Sequence, residues 1–247
     1  MKLNKIEPKY ISKSNPRIGL ITLGSDFRIE KDFNNIIYGR DIDLYVNRIH
    51  CYNPLTNETL AKMAEDITEV TKDILPDQKI DCVAYGCTSG TVAAGYDVIK
   101  EKVNLAKPEA KVTTPITAAI KALNKLGINK ISIFTPYTKT INDSVVNYFE
   151  KENISINSLT YFDIDSDLDI GKVDEDHLFD VLSKIDLADS EALFISCTAL
   201  PALSIINKLE KKINKVVLSS NQTLIWDSLN AIDYKEKIDG FGKLFNS

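Results

Sequence analysis

Lys79-Ile80-Asp81-Cys82-Val83-Ala84-Tyr85-Gly86-Cys87-Thr88-Ser89-Gly90-Thr91 is the stretch that decides the fold. Its apolar run ends at Cys87 and small hydroxyl residues follow. A helical pattern then begins with Val92, Ala93, Ala94, Tyr96, Val98 and Ile99. This order predicts a buried strand feeding a helix. The design recurs in the second half of the chain as Ala192-Leu193-Phe194-Ile195-Ser196-Cys197-Thr198-Ala199, again running toward a helix. A thiol between strand end and helix start, with Thr beside it, therefore occurs twice.

Upstream, Arg17 to Leu23 reads as a buried strand followed by the loop Gly24-Ser25-Asp26-Phe27, and Asp41 to Ile49 alternates as a half-exposed strand does. Thr56 caps a helix whose apolar positions, Leu60, Met63, Ala64, Ile67, Val70 and Ile74, recur every three or four residues until Pro76. Downstream, Lys111 to Thr114 is a short strand, and Pro115 opens a helix that Gly127 closes. The pattern then restarts. Asn129–Pro136 and Ser155–Phe162 are strands around a helix at Lys139–Asn153. An acidic loop, Asp163–Asp169, leads to a helix at Asp174–Leu187. The second cysteine strand, a helix at Pro201–Ile213, a strand at Lys215–Ser219 and a helix from Asn221 complete the copy.

The offset between Ile18 and Ile131 matches that between Cys87 and Cys197 to within a few positions. Strands alternating with helices predict an α/β fold, here two pseudosymmetric lobes with mostly parallel sheets flanked by helices. Loops after the carboxyl ends of such strands form ligand sites, so Cys87 and Cys197 are expected on opposite walls of one cleft. The competing reading is a single doubly wound sheet with two unrelated buried cysteines.

With 247 residues, 44% of them hydrophobic, the chain can bury a substantial core. A net charge of −5 without a Lys/Arg-dense run argues against nucleic acid or an acidic membrane surface as partner. Four Cys without a Cys-x-x-Cys pair, and residues 1–16 forming a polar lead-in rather than a secretory leader, predict free thiols in a reducing cytoplasm. No apolar run approaches the roughly 20 residues a membrane span needs.

A helix N-terminus lowers a thiol's pKa, so either Cys87 or Cys197 is expected to supply thiolate at neutral pH. One thiolate on each side of a carbon acid suits proton removal from one face and return to the other. Thr88, Ser89, Thr198 and the helix-start N–H groups are candidates to stabilise the ene-diolate, and the scheme requires no metal or cofactor. Cys82 and Cys51 read as packing and His177 as solvated. A zinc site from Cys82, Cys87, Cys197 and His50 lacks finger-like ligand spacing.

Gly86-Cys87-Thr88-Ser89-Gly90, Thr135-Pro136-Tyr137-Thr138, Ile195-Ser196-Cys197-Thr198 and Ser219-Ser220-Asn221-Gln222 resemble the aspartate/glutamate racemase superfamily. The likeness, from about Arg17 to Leu229, is to the branch of maleate cis–trans isomerase, arylmalonate decarboxylase and the racemase-like protein of ectoine utilisation. It implies a cofactor-independent enzyme with a last helix that returns to the first lobe, giving residues 17–112 plus 220–247 as lobe 1 and 113–219 as lobe 2. It also implies a homo-oligomer, dimer or tetramer. Cys87 and Cys197 match the two catalytic cysteines, whereas arylmalonate decarboxylase keeps only the second. Tyr137 matches a tyrosine that bonds the substrate carboxylate.

Two positions depart from the maleate isomerases. Asp26 stands where their first loop has a carboxylate-holding Asn, beside Ser25, and Asp167 falls near another substrate-binding Asn. An anion there repels a second substrate carboxylate and suits an ammonium group, unless both acids are loop caps facing water. Three readings follow. One is a racemase or epimerase of a small amino acid or derivative, plausibly from ectoine or hydroxyectoine breakdown. The second is a maleate-type cis–trans isomerase working through a covalent cysteine adduct. The third is a non-catalytic metabolite-binding protein.

Overall fold

Repetition of one strand order governs the architecture. A computed structural model describes residues 3–247; of the expected lead-in, positions 1 and 2 lie outside the described residues and the rest is exposed chain without regular structure. The first half runs β1 (Arg17–Leu23), α1 (Ile29–Ile37), β2 (Asp43–Ile49), α2 (Asn57–Lys62), α3 (Ile67–Lys72), β3 (Cys82–Gly86), α4 (Thr88–Ala94), α5 (Tyr96–Ala106), β4 (Lys111–Thr113) and α6 (Pro115–Leu126). The second runs β5 (Lys130–Thr135), α7 (Lys139–Lys151), β6 (Ser155–Tyr161), α8 (Asp167–Gly171), α9 (Glu175–Leu182), β7 (Ala192–Ile195), α10 (Ile206–Ile213), β8 (Val216–Ser219) and α11 (Ser220–Ala231). Each half holds a four-stranded sheet, ordered β2-β1-β3-β4 and β6-β5-β7-β8, with every pairing parallel. Two sheets of equal order exclude the single doubly wound sheet.

Parallel strands covered on both faces must be largely apolar, and the central ones are. Ile18, Leu20 and Ile21 of β1, Val83 of β3, Ile131 of β5 and Leu193–Ile195 of β7 are fully buried. At about 1.5–3 kcal/mol for each such side chain, these central strands anchor both lobes. Polar side chains in and beside the second sheet pair with one another: Ser132 Oγ lies 2.7 Å from Ser158 Oγ and 2.8 Å from Ser190 Oγ. Helix α11 packs against α6 and β3, so the last element reaches back to the first sheet.

Several elements differ from expectation. Helix α1 follows the 24–27 loop where no helix was expected, although Ile29, Phe33, Ile36 and Ile37 give it a buried face. The helix capped by Thr56 is interrupted by a 3-10 turn at Met63–Asp66. The helix after Cys87 breaks at Gly95, whose φ of +87° is open to glycine at little cost. After Cys197 a loop and a 3-10 turn at Leu203–Ile205 delay the helix, so α10 starts at Ile206 rather than Pro201. The acidic loop winds into α8, and α9 ends at Leu182 instead of Leu187.

Candidate active site

Cys87 ends β3 and is the N-cap of α4. Its backbone is extended (φ −144°), and its Sγ accepts the Gly90 N–H at 3.2 Å, as a capping side chain does. The Ser89 hydroxyl lies 3.9 Å from the sulfur. Gly90 is required here because a Cβ at that position would sit 2.8 Å from Cys87 Sγ and 2.9 Å from the Tyr85 hydroxyl. That proximity adds Tyr85 to the site. It is two residues before Cys87 on the same strand face, a period-two signal present in the sequence.

Cys197 follows β7 in a different conformation. Its φ of +96° is uncommon for a residue with a Cβ, and such backbone persists only where neighbours hold it. Its N–H donates to Ser220 Oγ at 3.0 Å. The same Ser220 oxygen accepts from Thr88 Oγ1 at 2.8 Å, so the two cysteine loops meet on one hydroxyl. Thr198 Oγ1 donates to the Gly86 carbonyl at 3.3 Å, a second tie between the halves. Ser196 Oγ donates to Tyr137 at 3.5 Å, and the fully buried Tyr137 hydroxyl is influenced electrostatically by both Cys197 and Cys87. In the sequence only a likeness to a family motif singles out Ser220 and Asn221; the structure places both beside the cysteine loops.

The acids are buried, not loop caps facing water. Asp26, 1% exposed, does cap α1: its Oδ1 accepts the N–H of Arg28 at 2.7 Å and of Ile29 at 3.0 Å. Burial pushes its pKa up, and those two N–H groups pull it back. Asp167 opens α8 at 2% exposure, and Ser25 Oγ donates to its Oδ2 at 2.5 Å. Burial raises it to about 6; the Ser25 bond opposes that and the charge of Asp26 adds to it. Asp32, on α1, is raised to about 7 by burial, against the Asn221 Nδ2 bond at 2.7 Å.

The expected cleft is closed. Cys87 and Cys197 are 3% and 5% exposed. The loop after β1 bridges to α8 through Ser25–Asp167 and through Arg28, whose Nε and Nη2 donate to the Gly171 carbonyl at 3.1 and 2.8 Å. Burial, with the charge of Asp167, therefore pushes both thiols well above their usual range. This corrects the expectation of a resting thiolate: in the closed site the Gly90 N–H is outweighed by desolvation.

Elsewhere, Cys82 is core, raised to about 12 by burial. Cys51 is half-buried and raised to about 11 by burial, which a Ser25 hydrogen bond opposes and the charge of Asp167 reinforces. His50 stacks edge-on against Tyr52, and His177 lies in α9 beside Phe162. Among the described residues no three His, Cys, Asp or Glu side chains are grouped as a metal ion needs. No helix among them is long and apolar enough to cross a membrane.

Residues 45–245 match the arylmalonate decarboxylase family. The chain belongs to that family. Relatives include the maleate isomerase of Geobacillus stearothermophilus, 24% identical over 93% of this chain and 97% of that protein. The arylmalonate decarboxylase of Bordetella bronchiseptica is 26% identical over 54% of this chain and 57% of its own. Among solved structures, a Nocardia farcinica maleate cis–trans isomerase with a covalently bound succinylcysteine intermediate superposes with a TM-score of 0.86. It is 20% identical, and the match covers 94% of this chain and 98% of that one. The two-lobe α/β fold is thus that of the maleate isomerases and arylmalonate decarboxylase.

Proposed function

We propose that this chain is a two-cysteine isomerase of a small carboxylate, working as a maleate-type cis–trans isomerase through a cysteine adduct. The observation that carries the reading is the convergence of Thr88 and the Cys197 N–H on Ser220, which ties the loops of two buried thiols to one hydroxyl. The likeness to maleate isomerases supports adduct chemistry over amino-acid racemisation. Cys87 is assigned as the nucleophile because its sulfur faces the Gly90 N–H. Cys87 passes its proton to a substrate carboxylate oxygen as its sulfur forms an S–C bond at one alkene carbon, and the π pair moves toward the carboxyl to give its enol form; that proton returns to Cys87 when the S–C bond breaks. Cys197, beside Tyr137, protonates the adjacent carbon. Rotation about the new single bond, return of the proton to Cys197 and S–C cleavage give the other isomer. Thr88, Ser89, Thr198 and Tyr137 are assigned to the substrate carboxylate.

Lobes of residues 17–112 plus 220–247 and of 113–219 belong to the same reading, supported by the packing of α11 on β3 and β4. Four free thiols favour a reducing cytoplasm as its setting. A second reading, racemisation at the α-carbon of an amino acid, is favoured by the buried Asp26 and Asp167, which repel a second carboxylate.

Incubation with maleate, unsaturated monoacids and amino acids in heavy water, followed by proton NMR, separates the two. Geometric conversion of an alkene supports the adduct route, and deuterium only at an α-carbon supports racemisation. Cys87→Ser and Cys197→Ser should each abolish turnover, with the adduct mass retained in Cys197→Ser. Full rate in either variant rules out the two-thiol proposal.

A further inference from the structure

Among the described residues, four buried side-chain atoms lack a hydrogen-bond partner: Arg17 Nε, Thr22 Oγ1, Asp26 Oδ2 and Asn221 Oδ1. Asp26 and Asn221 flank the same residue, Thr198. Asn221 Nδ2 donates to the Thr198 carbonyl at 2.8 Å, and the Thr198 side chain lies next to the Asp26 carboxyl. Both orphan atoms are acceptors. The orientation of Asn221 is fixed, since its amino end serves two acceptors, Asp32 Oδ2 and the Thr198 carbonyl. Its carbonyl end is the one left over. At Asp26, Oδ1 is committed to the start of α1, and Oδ2 is free.

The neighbouring donors do not fill both places. The Thr198 hydroxyl reaches the Asp26 carboxyl and lies 3.3 Å from the Gly86 carbonyl, so its one hydrogen is shared between two acceptors and none is left for Asn221 Oδ1. Arg28 is committed to the Gly171 carbonyl, and Arg48 to Glu30 and the carbonyls of Leu23 and Asp26. Meanwhile Asp32 and Asp167 both lie within electrostatic reach of Asp26. Buried polar groups in native proteins are almost always paired, so unpaired ones need an explanation. The two acceptors are short of donors, and the charges of Arg48 on Asp26 and of Arg28 and Lys31 on Asp32 act without a hydrogen bond to either orphan atom. An ammonium group has three donors, one charge and no acceptor.

We propose that Asp26 Oδ2 and Asn221 Oδ1 form a receptor for a primary ammonium group on the substrate. Resting on the isomerase reading, this makes the substrate a small acid that also carries an amino group. Its carboxylate is held at the cysteine loops and its ammonium beside Thr198. A second carboxylate in that place would meet only acceptors.

The test is calorimetric binding of β-alanine and of succinate to the intact protein at about pH 8. Both are saturated, so neither can take up a thiol, and binding is read independently of turnover. β-Alanine should bind at least about tenfold more tightly than succinate. Asp26→Asn, which keeps an oxygen to cap α1, should cancel or reverse that ratio. Tighter or equal succinate binding in wild type, absence of β-alanine binding, or an unchanged ratio in the variant overturns the receptor. If the variant does not fold, the wild-type ratio decides alone. A chain that prefers β-alanine but isomerises nothing overturns the isomerase reading instead; one that isomerises maleate and prefers succinate overturns only the receptor.

Discussion

Gly90→Ala tests whether Cys87 is held by packing rather than by chance placement. Gly90 lies within α4, where alanine at an open helical position is favoured over glycine by about 1 kcal/mol. Here the new methyl would meet Cys87 Sγ at 2.8 Å, Tyr85 Oη at 2.9 Å and Met63 Cε at 3.1 Å. Ordinary van der Waals spacing is about 3.5–4.0 Å, and overpacking of a buried site costs about 1–3 kcal/mol. The expected net is a loss of about 0–2 kcal/mol, or a melting temperature unchanged to roughly 8 °C lower for a chain this size. Activity should suffer more, because displacing a reacting atom by ~1 Å costs about 100-fold. Thermal melts, turnover and the rate of Cys87 alkylation by iodoacetamide, followed by mass spectrometry, read these effects separately. A variant that melts a few degrees higher, as an open helical site requires, with Cys87 alkylated at the wild-type rate, refutes the packing argument.

Two further substitutions probe the surroundings. Ser220→Ala strands the Thr88 hydroxyl and the Cys197 N–H in a buried site. It should cost about 1–3 kcal/mol in urea denaturation and reduce turnover more than a surface serine does. The raised acids give stability a pH dependence. Asp167 titrates at about 6 and Asp32 at about 7 in the fold, against about 4 unfolded, so the folded chain holds more protons across that window. Their contribution is therefore full below about pH 4 and lost as pH rises through 6 and 7. Urea midpoints between about pH 4 and 8 should show a shallower loss in Asp32→Asn than in wild type. Parallel profiles for the two proteins would remove Asp32 from the account.

The central strands were legible as short apolar runs bounded by turn residues, and Arg17–Leu23 was readable to the residue. Pro115 and Gly127 likewise marked both ends of α6. The duplicated cysteines pointed to the shared site. Helix α1 was readable in principle from Ile29, Phe33, Ile36 and Ile37, but its start lacks a conventional N-cap: Asp26, two residues earlier, supplies the acceptor. The loop after Cys197 was not legible, because it depends on a φ of +96° held by a hydrogen bond to Ser220, 23 residues away. The thiols' raised pKa was hidden for a similar reason. A local rule about helix N-termini takes no account of the desolvation that closure of the two halves imposes.

The two cysteine motifs are repeats in sequence yet no longer equivalent in space. Cys87 is extended, caps a helix and faces a backbone N–H; Cys197 is left-handed, heads an irregular loop and sits against Tyr137. A mechanism with one nucleophile and one proton carrier is served by such a difference, because unlike environments decide which of two coupled thiols ionises first. A backbone amide acts on each sulfur, Gly90 on Cys87 and Ala199 on Cys197, but only Cys87 also caps a helix, so ionisation is assigned to Cys87. Tyr137, raised well above its ordinary pKa by burial, remains a phenol and can hand a hydrogen bond to Cys197 or take one from it. The divergence of two copies of one strand-to-helix turn thus separates roles that the repeated sequence alone leaves interchangeable.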